Sequence, residues 1–300
     1  MDTAIAVDEL TKDFGRRRAL DRLTLEVPRG EVYGFLGPNG AGKTTTLRIL
    51  LDLLRPTSGR ATVLGLDSRR DALALHRHIA YVPGDVALWP QLTGGQAIDA
   101  LLALRGSAEP KRRDELIAEF QLDPTVRCRA YSKGNRQKVA LVAAFAADAD
   151  LLIMDEPTSG LDPLMEAVFR RRLVAARDDG RTVLLSSHIL GEVESICDRV
   201  GIIREGRLVE TGTLDELRHL SEYTVDAEVG HPPELDGIAG VSDLVVRPAN
   251  GGYRVRCRVH PEATADLLAA LARAGVRTLL SRPPSLEELF LRYYDAADTP

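Results

Sequence analysis

Over the first 220 positions the apolar residues follow two rhythms, short continuous runs and helical repeats, and the two alternate. Val32-Tyr33-Gly34-Phe35-Leu36 is an unbroken apolar run, the pattern of a strand covered on both faces. Upstream, Leu20, Leu23, Leu25 and Val27 lead into the turn Pro28-Arg29-Gly30, so residues 4–36 read as strands separated by turns. Downstream, Leu47, Leu50, Leu51 and Leu54 recur at helical spacing and predict a helix from Thr44 to Leu54, closed by Pro56-Thr57-Ser58-Gly59. Residues 85–148 keep the helical period through Ala97, Leu101, Leu102 and Leu104 and again through Leu116, Ile117 and Phe120, which predicts a helical insertion. Leu151-Leu152-Ile153-Met154 returns to a buried strand, Leu164 to Arg177 to a helix, and Thr182 to Ser186 to another strand. This alternation predicts an α/β fold around a doubly wound, largely parallel sheet.

The texture changes after residue 220. Tyr223 to Val229 alternates like a half-exposed strand, and Leu244–Arg247 with Tyr253–Val259 reads as a hairpin around Ala249-Asn250-Gly251-Gly252. Ala263 to Ala274 is helical, Val276 to Leu280 a strand, and Ser285 with Glu288 forms a Ser-x-x-Glu box that opens a helix running to Tyr293. The expectation is a main domain over residues 1–220, with its helical insertion near 85–148, and a small α+β domain over 221–300.

Composition adds exclusions. Apolar residues make up 44% and charged residues 28% of 300 positions, ordinary for a globular chain, and the net charge of -5 argues against nonspecific nucleic-acid binding. Cys128, Cys197 and Cys257 are scattered without CxxC spacing, so they suggest neither a disulfide framework nor a zinc site, and a reducing cytosol is the expected compartment. The start Met1-Asp2-Thr3-Ala4 lacks signal-peptide character, and no apolar run approaches the ~20 residues of a membrane span.

The chemistry begins at Gly37-Pro38-Asn39-Gly40-Ala41-Gly42-Lys43-Thr44, which fits GxxxxGK[ST] between a predicted strand and a predicted helix. Glycines let successive backbone N–H groups and the helix N-terminus face phosphates, Lys43 reaches the outer phosphates, and the Thr44 hydroxyl can ligate Mg²⁺. The strand Leu151–Met154 then ends in Asp155-Glu156, two carboxylates at the edge of a parallel sheet where ligands of such folds bind. Asp155 is the expected Mg²⁺ ligand, and Glu156 the base that orients and deprotonates an attacking water.

Taken together these residues resemble the ATP-binding subunits of ABC transporters, over about residues 4–218. The resemblance implies a P-loop NTPase fold with a mixed sheet and an ABC-type helical subdomain, ATP and Mg²⁺ as cofactors, and hydrolysis coupled to transport. By family motif order, Phe14 corresponds to the aromatic that stacks on adenine and Gly37 to Thr45 to the Walker A loop. Ser132, Gly134 and Asn135 fall in the signature, Asp162 is the D-loop acid, and His188 is the switch histidine at the γ-phosphate. Two positions depart from the pattern. The signature reads Tyr131-Ser132-Lys133-Gly134-Asn135, similar to variants in drug-resistance exporters, and Gly84 stands where the family carries the Q-loop glutamine, with Asp85 next to it as a candidate substitute. The implied assembly is a head-to-tail dimer on the cytoplasmic face of a membrane beside a separate transmembrane permease, with no nucleic-acid partner. Two other readings are a nucleotide-binding regulator of low turnover and a soluble ABC ATPase acting on ribosomes or nucleic acid. The C-terminal domain resembles the accessory domain of drug-resistance subunits.

Overall fold

A computed structural model describes residues 2–106, 110–219, 222–235, 237–249, 251–283 and 287–288. The chain divides into two compact units, residues 1–211 and 212–300, so the division comes before the expected position 220.

In the first unit, β1 (Thr3–Phe14) and β2 (Arg17–Pro28) form a long antiparallel pair, followed by β3 (Val32–Leu36) and α1 (Lys43–Leu50). β4 (Ser58–Val63) and β5 (Leu66–Asp67) come next, then α2 (Ala72–His78) and β6 (Ile79–Val82). The predicted insertion is helical: α3 (Gly94–Ala103), α4 (Pro110–Glu119) and α5 (Lys133–Ala146). β7 (Leu151–Asp155), α6 (Pro163–Asp178), β8 (Thr182–Ser187), α7 (Leu190–Glu194), β9 (Arg199–Arg204) and β10 (Arg207–Thr213) follow.

Parallel pairing is confined to one of two sheets, in which β10 forms a hairpin with β9. One has the order β10-β9-β3-β8-β7-β6, with parallel pairing from β9 across to β6; the other has the order β2-β1-β4-β5 and is antiparallel. The parallel strands β3, β7 and β8 are buried at every position, as a sheet covered on both faces requires. α1 is packed between the two sheets: Leu47, Ile49 and Leu50 share a core with Leu10 and Leu23 of the antiparallel sheet and with Phe35, Leu151 and Ile153 of the parallel one. The phosphate-loop residues thus emerge at the end of the central strand β3 and run straight into the helix that joins the sheets.

The helix predicted to reach Leu54 stops at Leu50, where the backbone closes onto Leu51 and Asp52 takes a left-handed φ of 52°. Leu53, inside the predicted range, is exposed. β4 and α2 escaped the apolar pattern because they are short and bury few residues, Ala61 and Val63 in one and Leu75 in the other.

The second unit contains α8 (Leu214–His219), β11 (Tyr223–Val229), β12 (Val241–Ala249), β13 (Gly252–Val259), α9 (Thr264–Arg273) and β14 (Val276–Arg282). Its sheet has the order β12-β13-β11-β14, and the predicted hairpin closes with Ala249 opposite Gly252. Val225, Ala227, Val229, Val255, Cys257 and Val259 pack against Leu267, Ala270 and Leu271 of α9. Arg254, Arg256 and Arg258 alternate on the opposite, exposed face of β13. The helix predicted from Ser285 lies outside the described residues. All three cysteines are buried and unpaired.

Candidate nucleotide site

The loop after β3 closes on itself before it reaches α1. Ala41 N–H donates to the Pro38 carbonyl at 3.2 Å, and Gly42, at φ 117°, takes the cap position of the helix. A side chain at Gly42 would be strained at that φ and would also meet Leu20 Cδ2 at 2.7 Å and the Ala19 carbonyl at 2.9 Å. Lys43, the first helical residue, is only 5% exposed, and its ammonium donates to the carbonyls of Gly37 at 2.6 Å and Pro38 at 3.1 Å. Burial lowers the Lys43 pKa, while Glu156 and Asp155 oppose that shift. The carbonyls and carboxylates around it supply the pairing that a buried cation requires.

The acids at the end of β7 are held by one hydroxyl. Ser186 Oγ donates to Asp155 Oδ1 at 2.6 Å and accepts from the Glu156 N–H at 3.1 Å, and the Ser186 carbonyl accepts from the same N–H. Asp155 is 4% exposed. Glu156 adopts a left-handed φ of 47°, an uncommon conformation for a residue with a side chain and one that clusters at functional sites. From that turn Glu156 Oε1 lies 3.1 Å from His188 Nδ1 and 3.8 Å from Lys43 Nζ. His188, just past the end of β8, keeps 45% of its side chain exposed and so can meet a ligand from outside.

A cavity of about 250 Å³ lies over this arrangement, lined by Phe14, Pro38, Asn39, Gly40, Gly42, Lys43, Thr44, Thr45 and Glu156 among others. Gly37 and Ala41 belong to the same loop below it. Phe14 is half exposed at the end of β1, with the Lys12 ammonium 4.9 Å from its ring centre. Arg17 and Ala19 also line the cavity, although no pattern in Phe14-Gly15-Arg16-Arg17 singles either out. Ser186 was equally invisible, because its role depends on the pairing of β7 with β8.

The remaining predicted residues lie outside this cavity. Ser132 caps α5 by accepting from the Asn135 N–H at 3.2 Å. Lys133 reaches away from the helix start and donates to Ser159 Oγ at 2.7 Å. Gly134 lies so close to the next turn that a Cβ there would be 2.3 Å from the Gly160 carbonyl. Asp162 caps α6, accepting from the N–H groups of Leu164 and Met165 at 3.0 Å. Gly84 abuts Asp155, its ideal Cβ position being 3.6 Å from Asp155 Oδ2, whereas Asp85 is exposed.

Three kinds of comparison bear on this geometry. The profile of the ABC transporter family matches residues 20–159. The daunorubicin resistance ATP-binding protein DrrA3 of Streptomyces coeruleorubidus is 36% identical over 97% of this chain and 95% of its own length. The chain belongs to the ABC transporter ATP-binding family. The bacitracin transport ATP-binding protein BcrA of Enterococcus faecalis is 33% identical over 98% of this chain and 96% of its own. A solved ATP-binding subunit of an ABC transporter superposes with a TM-score of 0.67 at 32% identity, covering 72% of this chain and 92% of its own. This ABC subunit is therefore an ATP-binding protein and an ATPase, and the cavity over Lys43 is lined by its phosphate loop and by Glu156. Among the described residues, no helix is long and apolar enough to cross a membrane.

Proposed function

We propose that the subunit hydrolyses Mg²⁺-ATP in the cavity over Lys43 to drive a separate membrane permease in the direction of export. The observation that carries this reading is the convergence of Lys43 Nζ and His188 Nδ1 on a single oxygen, Glu156 Oε1. The adenine stacks on Phe14 and the phosphates follow residues 37–45 to the N-terminus of α1. Lys43 gives up its carbonyl partners for the outer phosphates. Glu156 takes a proton from the attacking water, and His188 holds both Glu156 and the terminal phosphate in line.

The residues present suit a magnesium ion. The Thr44 hydroxyl and one Asp155 carboxylate make a sparse oxygen set, which matches an ion that keeps waters and takes its other ligands from phosphates. Gly84 puts no side chain of its own beside Asp155 Oδ2. Bound there, the ion would neutralise charge building on the phosphate oxygens.

Ser132, Gly134 and Asn135 stand away from the cavity of their own chain, and this supports a head-to-tail dimer in which they grip the terminal phosphate held by a partner copy. Asp162 then lies at the seam. The permease would dock on the cytoplasmic side against the apolar groove of Leu51, Leu53, Leu101 and Leu104, beside Tyr81. Export is supported by the drug-resistance and bacitracin-transport relatives. The residues after 211 form the accessory unit in this reading.

Glu156→Gln tests the proposal. It should abolish turnover while keeping ATP, and size-exclusion chromatography with ATP and Mg²⁺ should show a stable dimer. A variant that stays monomeric would overturn the dimer. A second reading, a nucleotide-binding regulator of low turnover, draws on Gly84, where no side chain reaches past Asp155. Phosphate release measured with and without the permease separates the two.

A further inference from the structure

The loops that carry Glu156 and His188 touch twice. The first contact is the acid–histidine pair itself, Glu156 Oε1 to His188 Nδ1 at 3.1 Å. The second lies two residues beyond the acid and four beyond the histidine, where Thr158 Oγ1 donates to Glu192 Oε2 at 2.9 Å. Thr158 is nearly buried, at 9% exposure.

Each half of the second contact is anchored independently. On the Thr158 side, the buried Gln137 of α5 donates from Nε2 to the Pro157 carbonyl at 3.0 Å. The turn is closed by Ser159 N–H to the Glu156 carbonyl and Leu161 N–H to the Thr158 carbonyl. On the Glu192 side, the next residue, Val193, is fully buried, and its Cγ1 would be 2.6 Å from a Cβ at Gly34. The absence of a side chain in the middle of β3 is thus what lets α7 settle on the central strand. Burial pushes the Glu192 carboxyl up, the Thr158 hydroxyl pulls it down, and Glu166, His188 and Arg170 are the other charges it feels. A half-buried carboxylate with one hydroxyl partner is a costly choice for surface decoration.

We propose that Thr158 and Glu192 are positioning residues for hydrolysis: their bond fixes the spacing of the two loops so that Glu156 and His188 stay within reach of each other. Neither touches the nucleotide cavity, so neither contributes to ATP affinity. The bond ties α5, whose N-terminus carries Ser132, to the loop of His188 through a path that avoids the phosphates. The inference rests on the hydrolytic roles proposed for Glu156 and His188.

Steady-state ATPase assays on the full chain test it, with Thr158→Val, Glu192→Leu, Glu192→Gln, the Thr158→Val/Glu192→Leu double variant and Glu156→Gln. The Val and Leu variants should lower kcat about tenfold with KM for ATP within about twofold, the scale expected when reacting groups lose alignment. The double variant should be no worse than either single one, because both remove the same bond. Glu192→Gln keeps an oxygen acceptor for Thr158 and should restore at least half of wild-type kcat. Unchanged kcat, losses that multiply, KM and kcat moving together, or Gln as damaging as Leu would each overturn the proposal. Loss of turnover in Glu156→Gln alongside normal turnover in the Thr158 and Glu192 variants rejects this inference alone. Normal turnover in Glu156→Gln rejects the hydrolytic reading beneath it. A thermal melt identifies a variant that fails to fold, and Glu192→Gln, which alters no volume, keeps the test open in that case.

Discussion

The phosphate loop and the turn at Ser132 both sit at the N-terminus of a helix, yet they are built in opposite ways. The first is folded inward: Lys43 is buried, bonded to two carbonyls and facing two acids, with a cavity above it. The second is already satisfied within its own chain: Ser132 caps α5, and Lys133 is spent on Ser159. The first is thus a preorganised receptor and the second a rigid edge presented outward. The difference shows why one copy carries the means to hold nucleotide, while the proposed mechanism needs a second copy to complete the grip.

The largest expected effect breaks the receptor half. Lys43→Ala removes the buried charge and the hydrogen bonds to phosphate proposed for it, an expected loss of about 3 kcal/mol or roughly 100-fold in ATP affinity; titration with a fluorescent nucleotide measures it. Next, Gly134→Ala should act on the edge half alone. A methyl 2.3 Å from the Gly160 carbonyl must force the two turns apart, at a cost of about 1–3 kcal/mol for overpacking. Its ATPase rate should fall about tenfold while the monomer binds nucleotide as before, since remote misplacement affects chemistry more than ground-state binding. Parallel loss of binding would show that the two halves are not separable.

Gly84→Gln sharpens the comparison from the sheet edge. The ideal Cβ there is 3.3 Å from the Asp155 carbonyl, so the side chain is tolerated with a small shift and reaches towards the acids. Turnover should rise about twofold to fivefold, the modest scale of one added polar contact; a fall would mean that the glycine is required for space. The smallest effect is expected from Asp162→Ala, which removes the cap of α6 at about 1 kcal/mol, read as a few degrees in Tm. If Asp162 also acts across the dimer seam, its ATPase loss will exceed what that shift accounts for.

What was legible in the sequence was whatever repeats or continues. The runs Val32–Leu36 and Leu151–Met154 are strands because buried parallel strands are apolar at every position. The phosphate loop was legible because its glycines and Lys43 have fixed spacing. Less visible was whatever depends on a neighbour distant in sequence. Ser186 holds both acids across a strand pair, Gly134 matters because of the Gly160 carbonyl, and Thr158 finds Glu192 across 34 positions. The end of α1 lies short of the predicted Leu54 because Leu51 and Leu54 extend the helical spacing, whereas the backbone turns left-handed at Asp52 once Leu50 has filled the core.

The three cysteines have a practical consequence. Cys128, Cys197 and Cys257 are all buried, and desolvation pushes each thiol up, so little of any of them is the thiolate that reacts. The natural sequence is therefore a quiet background for labelling. A cysteine placed at exposed Asn39 and another at exposed Ser132 would be the reactive thiols of the molecule. In a head-to-tail dimer those two come from different copies, so an ATP-dependent cross-link between them would report closure directly, without removing a single native residue from the core.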